Sequence, residues 1–191
     1  MFLDDNLNQD TTVCPGDLLI SEPYLPDPNF ERTVVLMCQH QEAVGSFGLV
    51  LNKPTSVQVY EASNLKSIRQ PLFVGGPVEQ NTLHFVHYLN HVKSSTHLKD
   101  GLHWGGDLSS LELIAELGQM GDAQCRFFAG YSGWGPRQLA KEIGENSWII
   151  SRVDLTEILT VEPDKLWMHI LKKMGGKYRV FANFPEDPRL N

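Results

Sequence analysis

The stretch Arg126-Phe-Phe-Ala-Gly-Tyr-Ser-Gly-Trp-Gly-Pro-Arg-Gln-Leu-Ala-Lys-Glu-Ile143 constrains this chain more than any other. An apolar start with strand character meets three closely spaced glycines and leaves with helical periodicity, Leu139 and Ile143 sharing one face. Gly130, Gly133 and Gly135 permit positive φ and close backbone approach. Pro136 suits a first helical position, where its missing N–H costs nothing. The expectation is a strand, a tight glycine turn and a helix.

The rest of the chain is ordinary enough to be one soluble domain. At 191 residues, with 41% hydrophobic and 20% charged residues, it can bury a substantial core. No apolar run approaches the roughly 18 residues of a membrane span. The acidic start, Met1-Phe-Leu-Asp-Asp-Asn6, lacks the basic and apolar regions of a signal peptide, so a cytoplasmic protein is expected. The net charge of −7 is concentrated early: residues 1–45 hold eight acids against Arg32 alone, while the remainder is balanced. Such a chain repels phosphate backbones unless its bases cluster. Lys172, Lys173, Lys177 and Arg179 do cluster, in a pattern that also suits a helix C-terminus. Cys14, Cys38 and Cys125 lack CxxC spacing and read as small buried hydrophobes.

Residues 1–12 read as a loosely ordered acidic leader, and 13–191 as a single domain. Strands are expected at Gly16–Ile20, Thr33–Cys38, Phe47–Leu51, Leu72–Val74, Thr82–Leu89 and Ser147–Ser151. Thr55-Ser-Val-Gln58 fits a capping box and predicts a helix over 57–67, although Val57 and Val59 alternate. Ser109-Ser-Leu-Glu112 predicts a second helix, with Leu111, Ile114, Ala115 and Leu117 on one face and a stop near Gly118 or Gly121. Pro163 opens a last helix carrying Leu166, Trp167, Ile170, Leu171 and Met174, stopped by Gly175-Gly176. Strands and helices are interspersed without regular βαβ alternation, which predicts an α+β fold with a mixed sheet.

Four ordered motifs resemble those of the YqgE/AlgH family over nearly the whole chain. They are Gly16-Asp-Leu-Leu-Ile20, Phe47-Gly-Leu-Val-Leu-Asn-Lys-Pro54, Leu72-Phe-Val-Gly-Gly-Pro-Val78 and the stretch from Phe127 to Glu142. Trp148, Leu166-Trp167 and Gly175 match in order and spacing. The resemblance implies a bacterial cytosolic protein with a bent, mixed, largely antiparallel β-sheet, barrel-like and flanked by helices. Members are uncharacterised and often labelled transcriptional regulators, through an association with control of alginate synthesis. No catalytic or DNA-contacting residues come with the resemblance. The stretch from Asn90 to His103 looks particular to this sequence and reads as a solvated loop.

The candidate recognition surface comprises Asn52, Lys53, Gly75, Gly76, Gly130, Tyr131, Ser132, Gly133, Trp134, Gly135 and Arg137. If the three motifs meet, they line one cleft; separate strand ends are the other reading. Backbone N–H groups at a helix start bind anions and Arg137 adds charge, but the spacing is neither Walker A nor dinucleotide. Ser132 lies in Gly130-Tyr-Ser-Gly-Trp134, where a nucleophile elbow needs glycine in place of Trp134. His84, His87, His91, His97 and His103 crowd together, yet a strand through Leu89 sends His84 and His87 to opposite faces. No catalytic set, metal site or cofactor is expected. A non-enzymatic regulatory or interaction protein with protein partners is favoured over direct nucleic-acid binding. A small-molecule or anion binder, or a hydrolase, centred on Gly130–Pro136 is the alternative, with its ligand unspecified.

Overall fold

The computed structural model describes residues 11–121 and 123–185. The leader expected over 1–12 therefore lies outside the described residues, except for Thr11 and Thr12. The elements in chain order are β1 (Leu18–Ser21), β2 (Val34–Gln41), β3 (Gly45–Val50), β4 (Pro54–Gln58), α1 (Val59–Ala62), β5 (Pro71–Val74), β6 (Val78–His87), β7 (Thr96–Lys99) and β8 (Leu102–Trp104). They continue with α2 (Leu108–Glu116), β9 (Cys125–Trp134), α3 (Gln138–Gly144), β10 (Trp148–Ser151), α4 (Pro163–Met174) and α5 (Tyr178–Phe181).

The fold is α+β, built on one mixed, largely antiparallel sheet in the order β10-β1-β2-β3-β9-β6-β8-β7, with β4 joined to β5 and β5 to β9. The sheet does not close into a barrel. Its one parallel pair among the described strands is β5 with β9. β9 is the hub. Its first half pairs Phe127, Phe128 and Ala129 with β5, and its last residues, Ser132 to Trp134, pair with β3. The exchange of partners takes place around Gly130, whose φ of +67° few side chains tolerate.

Burial follows the apolar periodicity. On one face, Leu166, Trp167, Ile170 and Leu171 of α4 pack on Leu18, Ile20, Leu36 and Leu49. On another, α1 and α2 cover Phe85 and Phe127. Leu139 of α3 meets Leu19, Val35, Trp134 and Trp148 in a third cluster. No described helix is long and apolar enough to cross a membrane.

Several local expectations are corrected. The helix predicted over 57–67 is a strand followed by the single turn α1. Thr55 Oγ1 donates to Leu72 O at 2.7 Å and accepts from Val57 N–H, spending the expected cap on the β4–β5 pair. The capping box lies later, between Gln58 and Glu61. Asp107, not Ser109, caps α2, accepting from Ser110 N–H at 2.9 Å; the Ser110 hydroxyl, and then this N–H, hold Asp107 below the usual carboxylate range. Leu111 and Ile114 are buried, but Leu117 is exposed. The Asn90–His103 stretch contains β7 and leads into its partner β8, with Leu102 buried. β9 continues through the expected glycine turn to Trp134. Pro136 precedes α3 instead of opening it, and the left-handed Arg137 stands at its N-cap. Cys38 and Cys125 are buried and Cys14 is exposed, all three as free thiols. Burial pushes the Cys38 and Cys125 thiols up, away from reactivity.

Candidate functional site

The glycine motifs do meet, through closely packed backbone. Gly75 N–H donates to Ala129 O, and Gly75 O accepts from Val50 N–H and the Ser132 hydroxyl, at 2.9, 2.9 and 3.1 Å. A Cβ on Gly75 would lie 2.2 Å from Gly130 O, and one on Gly76 would lie 2.2 Å from the Tyr131 carbonyl carbon. Small residues here let the end of β5 cross the bend in β9. Ser132 is fully buried and its hydroxyl proton is committed to Gly75, which leaves it a structural role in the crossing.

Asn52 and Lys53 hold the proline-rich loop before β2. Asn52 accepts from Val34 N–H and donates to Arg32 O. Lys53 Nζ donates to Pro28 O and Asn29 O at 3.0 and 2.7 Å. Burial lowers the Lys53 pKa, with Glu31 and Asp27 opposing the shift.

The second half of the signature forms a clamp. Trp134 Nε1 and Trp148 Nε1 both donate to Glu142 Oε2 at 2.8 Å, and Gln138 Nε2 donates to Oε1 at 2.9 Å. Gln138 Oε1 in turn accepts from Gly135 N–H. Phe30 completes the packing, 6.4 Å from the Trp134 ring centroid and 5.3 Å from that of Trp148. Gly133 is exposed and opposes Phe47, while Arg137 N–H donates to Glu42 O. Tyr131 stacks on Phe47, and both rings contact His84. The signature thus joins α3 to β9 and β10.

The histidines divide by environment. His87 is fully buried: Nδ1 accepts from Leu89 N–H, so Nε2 carries the proton and donates to Gly105 O at 3.1 Å. Its ring lies against His103, which in turn meets His97. Burial lowers the pKa of His84, His87 and His103, with Glu79 opposing at His84, the hydrogen bond to Gly105 O opposing at His87, and His97 adding to the shift at His103. Among the described residues, no group of three His, Cys, Asp or Glu side chains could hold a metal.

Two concavities lie outside the sequence-predicted set. The first is a cleft of about 660 Å³ at the terminal strand β10, between Ile143 and Asn146 on the α3 side and Lys177, Tyr178 and Phe181 on the α5 side. Glu22 N–H donates to Ser147 O. This fixes the ladder phase: with Ile20 opposite Ile149 and Leu18 opposite Ser151, those pairs bond to each other, and Trp148 and Ile150 turn N–H and C=O outward. No described backbone group takes up those N–H donors. The sequence signal for it is the proline-free apolar strand Trp148–Ser151.

The second is a pocket of about 280 Å³ containing Gln70, Phe73, Arg126, Thr160 and Glu162. Arg126, only 7% exposed, donates to Leu51 O at 2.8 Å and Leu159 O at 2.9 Å, and lies over the Phe73 ring. Burial brings its pKa down to about 10, against the pull of Tyr88 and Glu162. One arginine inside the apolar run Cys125-Arg-Phe-Phe128 was the available signal.

The comparisons with known proteins agree along the chain. An AlgH-like family model matches residues 18–179. A UPF0301 protein of Cytophaga hutchinsonii is 44% identical over 179 residues, covering 92% of this chain and 98% of its own length. UPF0301 protein BF2109 of Bacteroides fragilis is 38% identical over 187 residues, covering 96% of this chain and 95% of its own. A crystal structure of protein DIP2367 from Corynebacterium diphtheriae superposes with a TM-score of 0.74 at 22% identity, over 94% of this chain and 96% of that one. The solution structure of the AlgH protein from Pseudomonas aeruginosa gives 0.70 at 24%, over 93% and 97%. These two likenesses carry the fold alone. With its match running from the first strand into the last helix and its relatives aligned along nearly their full length, the chain belongs to the AlgH-like family.

Proposed function

We propose that this chain is a non-enzymatic interaction protein that receives an extended peptide of a partner protein along β10. Any regulatory role then acts through protein contact and not through DNA. The observation that carries this reading is the outward N–H and C=O of Trp148 and Ile150 on the floor of the 660 Å³ cleft. An added strand pairs with such an edge, while pockets beside alternate residues set its specificity. Ile149 and Ile150 supply apolar floor on both faces, and Lys177 at the rim favours a peptide with carboxylates.

The alternatives have less support. A hydrolase at Ser132 would need a hydroxyl that is not buried and already bonded to Gly75 O. An anion site at Gly130–Pro136 would need free N–H donors at the start of α3, where Gly135 N–H is given to Gln138 Oε1 and Arg137 N–H to Glu42 O.

The test is selection of displayed random peptides on the purified protein, followed by binding to Ile150→Pro. Proline removes the outward N–H yet spares the ladder to β1. Enriched sequences should alternate apolar and acidic residues, protect the Ile150 amide from exchange, and lose binding to the variant while its unfolding midpoint stays near wild type. Peptides that bind the variant equally, or no enrichment, would overturn the reading. A dimer in sedimentation that Ile150→Pro converts to monomer would replace the partner with a second copy.

A further inference from the structure

We propose that the pocket beside Arg126 binds a small zwitterion of the α-amino acid class, its carboxylate on the guanidinium and its ammonium toward Gln70 and Glu162. Arg126 spends two of its five N–H donors on the carbonyls of Leu51 and Leu159. Neither carbonyl carries a formal charge, and no carboxylate among the described residues pairs with Arg126 within ion-pair distance. A buried cation without a carboxylate at ion-pair distance is costly, and a planar carboxylate is the group a guanidinium fork binds best.

The pocket also asks for a donor. Gln70, 8% exposed, lines it with its Oε1 buried and without a hydrogen-bond partner. Glu162, exposed and just ahead of Pro163, adds a carboxylate at the mouth with no capping bond to hold it. A phosphate attracted by Arg126 would meet that carboxylate. A ligand with opposite charges at its two ends satisfies Arg126, Gln70 and Glu162 together. Phe73, Leu159 and Val161 form an apolar lining that suits an aliphatic side chain. None of the residues lining this pocket lines the β10 cleft, so either proposal can fail alone.

The experiment is titration of the ¹⁵N-labelled protein with the L-amino acids one at a time, and with acetate, methylammonium and inorganic phosphate as controls. At least one aliphatic amino acid should shift the amides of Phe73, Arg126, Thr160 and Val161 saturably, and the controls should not. Glu162→Gln and Gln70→Leu leave the Arg126 carbonyl bonds in place and should each weaken binding by about tenfold or more, with a folded spectrum. Shifts from no amino acid, equal binding of acetate or phosphate, or undiminished affinity in both variants would overturn the assignment.

Discussion

At Glu142, two indole N–H groups and one amide converge on a single carboxylate, and the spacing Trp134, Gln138, Glu142, Trp148 acquires a physical reason. Both rings are nearly buried, so their N–H groups need an acceptor within the fold. Glu142→Leu removes it for both. With each hydrogen bond to a charged group contributing about 1.5–3 kcal/mol, the variant should lose about 3 kcal/mol or more in urea unfolding. Glu142→Gln keeps an oxygen within reach and should lose only about 1 kcal/mol. A leucine variant as stable as wild type would show that the clamp does not hold the fold. The residue types were legible in the sequence, but their convergence was not. Trp148 reaches Glu142 only because α3 returns the chain alongside β10.

At the scale of elements, the long apolar strands and α4 were legible because composition and period agreed, as in Leu166, Trp167, Ile170 and Leu171. The errors arose where tertiary pairing decided between two local options. Thr55 had the chemistry of a cap, yet its hydroxyl serves the β4–β5 pair. The glycines after Phe128 read as a turn, yet they let a continuous strand bend and pass another backbone closely. The direction of each N–H on β10 likewise depends on a partner strand more than a hundred residues away. That direction makes a prediction for the free protein. In exchange measured by NMR, the Ile150 amide should exchange far faster than those of Ile149 and Ser151, which bond to β1. Equal protection of Ile150 would mean that the edge is already covered, and the peptide reading would lose its basis.

For the whole molecule, the sequence revealed the fold class and the family. It did not reveal the two concavities, because each is made by segments that only the finished sheet brings together. Gln70, Arg126 and Glu162 share no motif, and neither do Asn146, Ile150 and Phe181. The same assembly sets a global dependence on pH. His84, His87 and His103 all have folded pKa values below the ordinary 6.5, with burial as the first cause in each. As pH falls through about 6.5, the unfolded chain takes up protons that the folded chain refuses, so stability is full above that value and declines as pH approaches the lowered folded pKa values. Asp107 and Asp154, held low chiefly by hydrogen bonds from Ser110 and Thr156, act in the same sense but only below their ordinary 3.8, well outside this window. The urea midpoint should therefore drop between about pH 7.5 and pH 5.5. His87→Gln, which cannot titrate but retains an amide to donate toward Gly105 O, should show a shallower drop. A wild-type midpoint that stays flat over this range would mean that folding leaves these histidines as easily protonated as in the open chain. An equally steep drop in the variant would shift the effect to His84 and His103.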